Sequence, residues 1–290
     1  MSESNLAKNT LIYAIGNIGV LIINFVLVPF YTFFLTKEEL GYYDFIVTTA
    51  MFIAPFATLQ VEMAILRWLL DNDSKNIKKS VITNSFFILS INLLLLTALF
   101  FAFSKYFIDK YNIIILFYYV LFFLYPLFKQ ILRGIGKPKQ YIFVEICYTS
   151  LFLILSILFI VHFKLGVKGL LISNIIALSF SILFVFFNNK IYNYIGKQYF
   201  SKSLLIKMLK YSVPMILNIS SVWFMTSAIK YFIIYFNRRN FKLILRKKGI
   251  VVNTSTKVTK IQKEGDKLAV FAEGKNGEIK VTADMVLMST

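Results

Sequence analysis

The sequence contains almost no cysteine and almost no histidine. Cys147 is the only cysteine and His162 the only histidine among 290 residues. One cysteine cannot form an intrachain disulfide, a cysteine metal cluster or a redox dithiol. We therefore expect no metal, no cofactor and no catalytic residue.

Acidic residues are also scarce, whereas apolar residues are abundant. The chain has 14 Asp and Glu against 32 Lys and Arg, which gives a net charge of +18, and it is 58% hydrophobic. A nucleic-acid-binding domain clusters its basic residues on one folded face. Here the bases of residues 1–237 lie in short gaps between long apolar runs, which is typical of a membrane protein. No nucleic-acid partner is expected.

Seven apolar runs are long enough to cross a bilayer, whose hydrocarbon core needs roughly 20 helical residues. The N-terminus lacks the short apolar core and small-residue cleavage site of a signal peptide, so the first run is retained. The predicted spans are approximately Leu11–Leu35, Tyr42–Leu66, Val81–Phe103, Ile113–Leu132, Ile142–Phe163, Gly169–Phe187 and Tyr211–Tyr235.

Basic residues are unevenly distributed between the connections. The N-terminus and the second, fourth and sixth connections carry 14 Lys and Arg, whereas the first, third and fifth carry 5. Because cytoplasmic loops are enriched in Lys and Arg, this predicts a multi-pass protein of the cytoplasmic (inner) membrane with a cytoplasmic N-terminus.

Glycine, proline and asparagine interrupt several predicted spans. They allow either tight packing with gentle kinks or a helix that bends to gate a cavity. The candidate gating or kink positions are Gly16, Gly19, Pro29, Pro55 and Pro126, and the candidate polar contacts for a substrate are Asn17 and Asn24.

Ionisable residues at membrane depth are costly and are therefore functional candidates. Glu62, Arg67 and Lys230 are the charged candidates for contact with a substrate. Glu62 and Lys230 lie deepest, and we expect Glu62 to pair with Arg67 on one flank of the second span. A water-filled cavity that binds an anion would explain Lys230. Glu145 and His162 lie near span ends, where snorkelling is expected.

Short segments of residues 1–237 resemble the lipid-linked oligosaccharide flippases. LVPFYTFFLTKEELGYYDFIVT (27–48) is similar to the first hairpin of that family, and LQVEMAILRWLLD (59–71) to the end of its second helix, including Arg67. KQILRGIGKPKQY (129–141), LGVKGLLISNIIA (165–177) and LKYSVPMILN (209–218) resemble its fourth cytoplasmic connection and the starts of its sixth and seventh helices.

The resemblance implies an all-α polytopic exporter of polysaccharide or O-antigen precursors. Two lobes of about six helices would rock around a basic cavity that takes an undecaprenyl-pyrophosphate-linked oligosaccharide from the bilayer. Glycosyltransferases and a polymerase of the same pathway would be partners. The family's Asp-Arg pair is replaced here by Ile229-Lys230, and only one lobe is complete. We therefore expect a truncated or chimeric member that is inactive alone, with a non-transporting membrane scaffold as an alternative.

Residues 238–290 differ in character from the rest. They hold 12 Lys and Arg, 5 Asp and Glu and only two aromatics, Phe241 and Phe271. RRNFKLILRKK predicts an amphipathic helix that ends at Gly249, and three alternating segments follow it as a β-meander. A seventh span starting inside would place this basic tail outside. The conflict predicts two unrelated domains, 1–237 and 238–290.

The tail resembles a fragment of the NAD domain of dihydrolipoamide dehydrogenase-like flavin disulfide reductases. It contains neither a strand-led Gly-x-Gly-x-x-Gly nor a pair of cysteines, so the sequence offers no active site for that chemistry. An NAD- or FAD-dependent oxidoreductase fragment remains an alternative function.

Overall fold

The computed structural model describes residues 3–103, 111–237, 257–264, 267–274 and 277–283. Within the helical part, side chains are described from Gly16 to Ala102 and from Tyr111 to Met225. The chain divides into two compact units, Met1–Thr226 and Ser227–Thr290. The domain boundary expected near residue 237 stays a prediction.

The first unit is built from long helices joined by short connections. Over the described residues, six segments are long and apolar enough to cross a membrane. They confirm the first six predicted spans, except that the second ends earlier than predicted. The helices are α1 (Glu3–Phe34), α2 (Lys37–Thr58), α3 (Val61–Asp71), α4 (Lys75–Phe103), α5 (Asn112–Gly134), α6 (Pro138–Ile157), α7 (Gly166–Asn188) and α8 (Lys202–Asn237). The predicted seventh span lies within α8.

The second predicted span is two helices rather than one, so its prediction as one continuous segment is wrong. α2 ends at Thr58 and α3 begins at Val61, because Leu59 and Gln60 adopt left-handed backbone angles with φ of 49° and 51°. Pro55 lies inside α2, and the break comes after it. Asn92 of α4 donates to the carbonyl oxygens of Phe56 and Ala57, which have lost their helical partners.

Helix α1 packs on α6 through its small residues. Gly16 is buried, and a Cβ there would overlap the Ile142 side chain. At Gly19 a Cβ would lie 3.9 Å from Ile146 Cδ1, which is ordinary van der Waals contact. Gly16 therefore allows close approach of the helices, as small residues commonly do in membranes, whereas Gly19 leaves room for a Cβ. Pro29 and Pro126 lie inside α1 and α5, which continue through them.

Three connections meet at one end of this unit, namely 72–74, 135–137 and 189–201. We call this the basic end. Thr83 near the start of α4 donates to the Tyr194 carbonyl, and Lys137 before α6 lies 2.7 Å from Asn189 Oδ1 after α7. Trp68 of α3 contacts Tyr211 of α8 with ring centroids 5.5 Å apart. The even-numbered connections and the start of α8 therefore share one end, as the alternation of spans predicts.

The second unit contains a three-stranded antiparallel sheet in the order β1-β2-β3, with β1 at Lys257–Glu264, β2 at Lys267–Gly274 and β3 at Gly277–Ala283. Ala269 of β2 is fully buried. The predicted β-meander is confirmed. The predicted amphipathic helix before Gly249 lies outside the described residues.

Candidate functional site

Helix α1 presents two asparagines on its surface. Asn17 and Asn24 are both exposed and lie seven residues apart, which places them two turns apart on the same side. Within residues 16–102 and 111–225 neither side chain has a hydrogen-bond partner. An exposed amide in the hydrocarbon of a bilayer is unfavourable because lipid offers it no partner. These two residues, which we call the α1 polar row, are therefore best placed in a water-filled or partner-lined space.

The row leads towards a network of polar side chains inside the unit. Tyr31 follows Asn24 by seven residues, and its ring centroid lies 6.1 Å from that of Tyr43 in α2. The Tyr43 hydroxyl lies 2.9 Å from Asn174 Nδ2, and the Tyr148 hydroxyl donates to Asn174 Oδ1 at 2.7 Å. Asn174 of α7 is 3% exposed and joins α2 to α6. The structure thus satisfies this buried amide from two helices.

A charged pair extends the network to the basic end. Lys129 Nζ of α5 lies 3.0 Å from Glu145 Oε2 of α6, and both side chains are about four-fifths buried. The Tyr125 hydroxyl donates to the same carboxylate oxygen at 3.0 Å. Lys129 also lies 5.0 Å from the centroid of the Tyr125 ring. Snorkelling was the wrong expectation for Glu145, since its carboxylate joins two helices within the unit. We call Tyr43, Asn174, Tyr148, Tyr125, Glu145 and Lys129 the inner network.

Glu62 lies at the break between α2 and α3. Its side chain is 8% exposed and Oε1 lies 3.3 Å from Thr58 Oγ1. The expected pair with Arg67 is wrong, because Arg67 lies instead 3.7 Å from Asp71. Five residues along a helix amount to about 140° of rotation past a full turn, whereas the four between Arg67 and Asp71 bring two side chains to one face.

Arg67 is exposed at the basic end and contacts α8. Its guanidinium carbon lies 4.5 Å from the centroid of the Tyr211 ring and 5.3 Å from that of Trp68. The Arg67–Asp71 pair is solvent-accessible and contributes little to stability. Arg67 therefore retains a guanidinium face at the contact between α3 and α8, where an anion could reach it.

The remaining predicted site residue, Lys230, lies in α8, and its side chain is outside the described residues. Earlier in α8, Trp223 Nε1 donates to the Thr48 carbonyl of α2 at 3.0 Å. The structure therefore places Asn17 and Asn24 on one side of α1 and separates Glu62 from Arg67. The substrate role of these four residues and of Lys230 stays a prediction.

The connection between α7 and α8 is fixed to α4 at the basic end. Lys79 Nζ donates to the Tyr199 hydroxyl at 2.9 Å, and this hydrogen bond lowers the pKa of that hydroxyl. Asn84 Nδ2 donates to the Ser201 carbonyl, and Ser201 N–H donates back to Asn84 Oδ1. A segment held by such reciprocal bonds sets the position at which α8 begins.

Comparison with known families decides what this helical unit is. A family described as polysaccharide biosynthesis protein matches residues 6–240, which is most of the chain. The chain belongs to the polysaccharide biosynthesis protein family. Its six long apolar helices make it a multi-pass membrane protein of that family, and the resemblance found in its sequence motifs is confirmed. No curated protein matches it at a significant level.

Two solved transporters are similar in structure to this chain. One is a multidrug resistance MATE family transporter of the MOP superfamily in an outward-facing conformation, with 15% identity over 73% of this chain and a TM-score of 0.57. The other is a MOP superfamily transporter from Pyrococcus furiosus, with 18% identity over 73% of this chain and a TM-score of 0.49. The chain covers 52% and 50% of those two structures, so it spans about half their length. The similarity to the MATE family transporter shows that the helical unit has the fold of one lobe of a MOP transporter.

The sequence analysis does not predict a functional role for most residues of the inner network. Tyr43 and Asn174 lie in segments that resemble the flippase family, but no role follows from that resemblance. A tyrosine-rich sequence with isolated Asn and Glu in apolar runs is the signal that could have revealed them. What it does not supply is the pairing between helices, which depends on tertiary packing.

Proposed function

We propose that this polysaccharide biosynthesis protein is one lobe of an exporter that moves a lipid-linked oligosaccharide across the cytoplasmic membrane by alternating access. The substrate is an undecaprenyl-pyrophosphate-linked glycan, and the N-terminus and the basic end are cytoplasmic. The observation that carries the proposal is the family match over residues 6–240. The excess of Lys and Arg at the basic end supports the orientation.

The α1 polar row supplies the lobe's contribution to the transport path. Asn17 and Asn24 can donate to and accept from sugar hydroxyls, which a lipid-facing surface cannot do. Arg67 at the basic end, with its guanidinium beside Tyr211, suits the diphosphate. A substrate role for Lys230 stays a prediction. Glu62 is buried at the break in the second span, where its carboxylate lies 3.3 Å from Thr58 Oγ1 and links the end of α2 to α3.

The break between α2 and α3 offers a hinge for the motion. Leu59 and Gln60 already hold left-handed angles that cost on the order of 1 kcal/mol or more each for residues other than glycine. Thr58 and Asn92 satisfy the backbone groups that the break releases. Gly16 is less suited to bending, because its close packing fixes α1 to α6.

The test is binding and transport in membranes of defined composition. The full chain is placed in nanodiscs and titrated with a fluorescent undecaprenyl-diphosphate disaccharide, and the same chain in proteoliposomes is assayed for movement of that lipid between leaflets. We expect saturable binding that Asn17→Leu with Asn24→Leu weakens about tenfold, with Ile18→Leu as the matched control on α1. Binding to the diphosphate lipid no tighter than to undecaprenol would contradict the proposal.

A membrane scaffold without transport is distinguished in cells. A flippase-deletion strain that expresses the chain together with a separately encoded second lobe should recover surface polysaccharide if the chain is a transport lobe. Capture of glycosyltransferases without any recovery would favour the scaffold. The resemblance of the tail to a flavin disulfide reductase stays a prediction, and flavin absorbance of the purified chain checks it.

A further inference from the structure

A polar pocket lies at the basic end of the lobe, separate from the α1 polar row. It is formed by the end of α3, the start of α4 and the start of α8, and its volume is about 400 Å³. Its polar lining consists of amide and hydroxyl side chains with one ammonium group, namely Asn72, Asn76, Ser80, Ser201, Ser203 and Lys207.

The pocket carries positive charge without a carboxylate in its lining. Lys207 is exposed and has no ion pair within the described part of the chain. The two acidic residues that flank Asn72 lie beside other cations, Asp71 at 3.7 Å from Arg67 and Asp73 at 3.5 Å from Lys78. A site with a cation, several donors and no lining acid favours an anion over a cation or a neutral sugar.

The backbone at the pocket adds to this preference. α4 begins at Lys75 and α8 at Lys202, and neither helix has an acidic residue in its first turn. The first N–H groups of a helix lack intrahelical acceptors and carry partial positive charge. The Leu204 N–H donates to Ser201 Oγ over 3.4 Å, which is a long and therefore weak hydrogen bond. Side chains and helix ends therefore favour the same sign of ligand charge.

The depth and the rim of the pocket indicate what kind of anion reaches it. Asn76, Ile77 and Ser80 immediately precede the predicted span that begins at Val81, so we expect the pocket to lie at the level where the bilayer meets water. Trp68, Ile77 and Leu204 supply an apolar side to the lining. Tryptophan is enriched at this level of membrane proteins. A headgroup phosphate with a glycerol and acyl chain attached matches this combination, whereas a hydrated free ion uses none of the apolar rim.

We propose that this pocket binds the phosphate of an anionic phospholipid in the leaflet at the basic end. Lys207 makes the ionic contact, the serine and asparagine side chains donate to the phosphate oxygens, and the apolar rim contacts the glycerol and the first methylenes. The bound lipid bridges α3 and α4 to α8, and so holds the start of α8 against the rest of the lobe.

The experiment measures lipid binding by the full chain in a neutral detergent. Short-chain phosphatidylglycerol, short-chain phosphatidylcholine and inorganic phosphate are titrated separately, with thermal unfolding and native mass spectrometry as readouts. We expect phosphatidylglycerol to bind and raise the Tm, and phosphatidylcholine to do so less, because its choline brings a cation towards Lys207.

Two variants localise the binding. Lys207→Gln should weaken phosphatidylglycerol binding about fivefold, in line with about 1 kcal/mol per basic residue near a charged membrane surface. Lys210→Gln removes a lysine one turn away that does not line the pocket, and should leave binding unchanged. Ser203→Asp places an acid in the first turn of α8, so it should weaken lipid binding without destabilising the helix.

The proposal fails on any of three results. One is equal affinity for phosphatidylglycerol and phosphatidylcholine. Another is equal loss of binding in the Lys207 and Lys210 variants, which would indicate a diffuse surface effect. The third is a Tm increase with inorganic phosphate that phosphatidylglycerol does not match, which would assign the pocket to a free anion.

Discussion

The α1 polar row and the inner network both place asparagine side chains in apolar helices, yet they differ in burial and in hydrogen bonding. Asn174 is buried and bonded from two helices, whereas Asn17 and Asn24 are exposed and have no partner within the described residues. Burial of a polar group is favourable only when its bonds are made. The inner network therefore stabilises the lobe, and the α1 polar row is left available to something outside it.

The comparison predicts the largest loss of stability at the charged pair. Lys129→Met should lower the free energy of unfolding by about 3 kcal/mol, because it leaves the mostly buried Glu145 carboxylate without its cation. Equilibrium unfolding in mixed micelles measures the loss. Lys139→Met, at an exposed lysine at the same end, is the control and should change little. A double variant with Glu145→Leu should recover most of the loss, and failure to recover any would contradict this account of the pair.

A smaller loss is expected at the centre of the inner network. Asn174→Ala removes the partner of both Tyr43 and Tyr148, which should cost about 2 kcal/mol, since hydrogen bonds between membrane helices are individually modest. The same unfolding assay gives the value, with Asn188→Ala at the exposed end of α7 as control. Equal effects of the two substitutions would show that the network contributes nothing specific.

The helix break should respond more weakly. Asn92→Ala leaves the carbonyl oxygens of Phe56 and Ala57 without their donor and should cost about 1 kcal/mol. Unfolding of this variant is compared with that of Ser90→Ala, an exposed position on the same helix. Unchanged stability would mean that other donors satisfy those carbonyls.

The smallest effect on stability is expected at the α1 polar row. Asn17→Leu together with Asn24→Leu should change the free energy of unfolding by no more than about 0.5 kcal/mol, because neither amide has a partner to lose among the side chains that the structure describes. The same double variant should show the weaker glycan-lipid binding described above. Marked destabilisation without loss of binding would reverse the roles assigned to the two regions.

The features that depend on local pattern could be predicted from the sequence. Six spans, the shared end of the basic connections and the β-meander follow from apolar run length, charge counts and alternation, and the family resemblance follows from short motifs. Of the two alternatives for Gly16, tight packing or bending of a gating helix, the structure favours packing, since Ile142 occupies the space that a side chain would need.

Features that depend on contacts between helices could not be predicted in this way. The break at Leu59 and Gln60 has no glycine to mark it and depends on Asn92, more than 30 residues away. Glu145 has an obvious candidate partner only when α5 and α6 are placed side by side. The pairing of Glu62 with Arg67 was wrong because nearness in sequence was used without the helical rotation between them.

The central claim is that Asn17 and Asn24 face water or substrate, and cysteine accessibility tests it most directly. Because Cys147 is the only cysteine, a Cys147→Ala background allows single cysteines to be compared. Asn24→Cys and Ile22→Cys lie at similar depth but about 160° apart around α1. In membranes, a charged maleimide should label Cys at position 24 several times faster than at position 22. Equal protection of both positions would show that the α1 polar row faces lipid and would contradict the account.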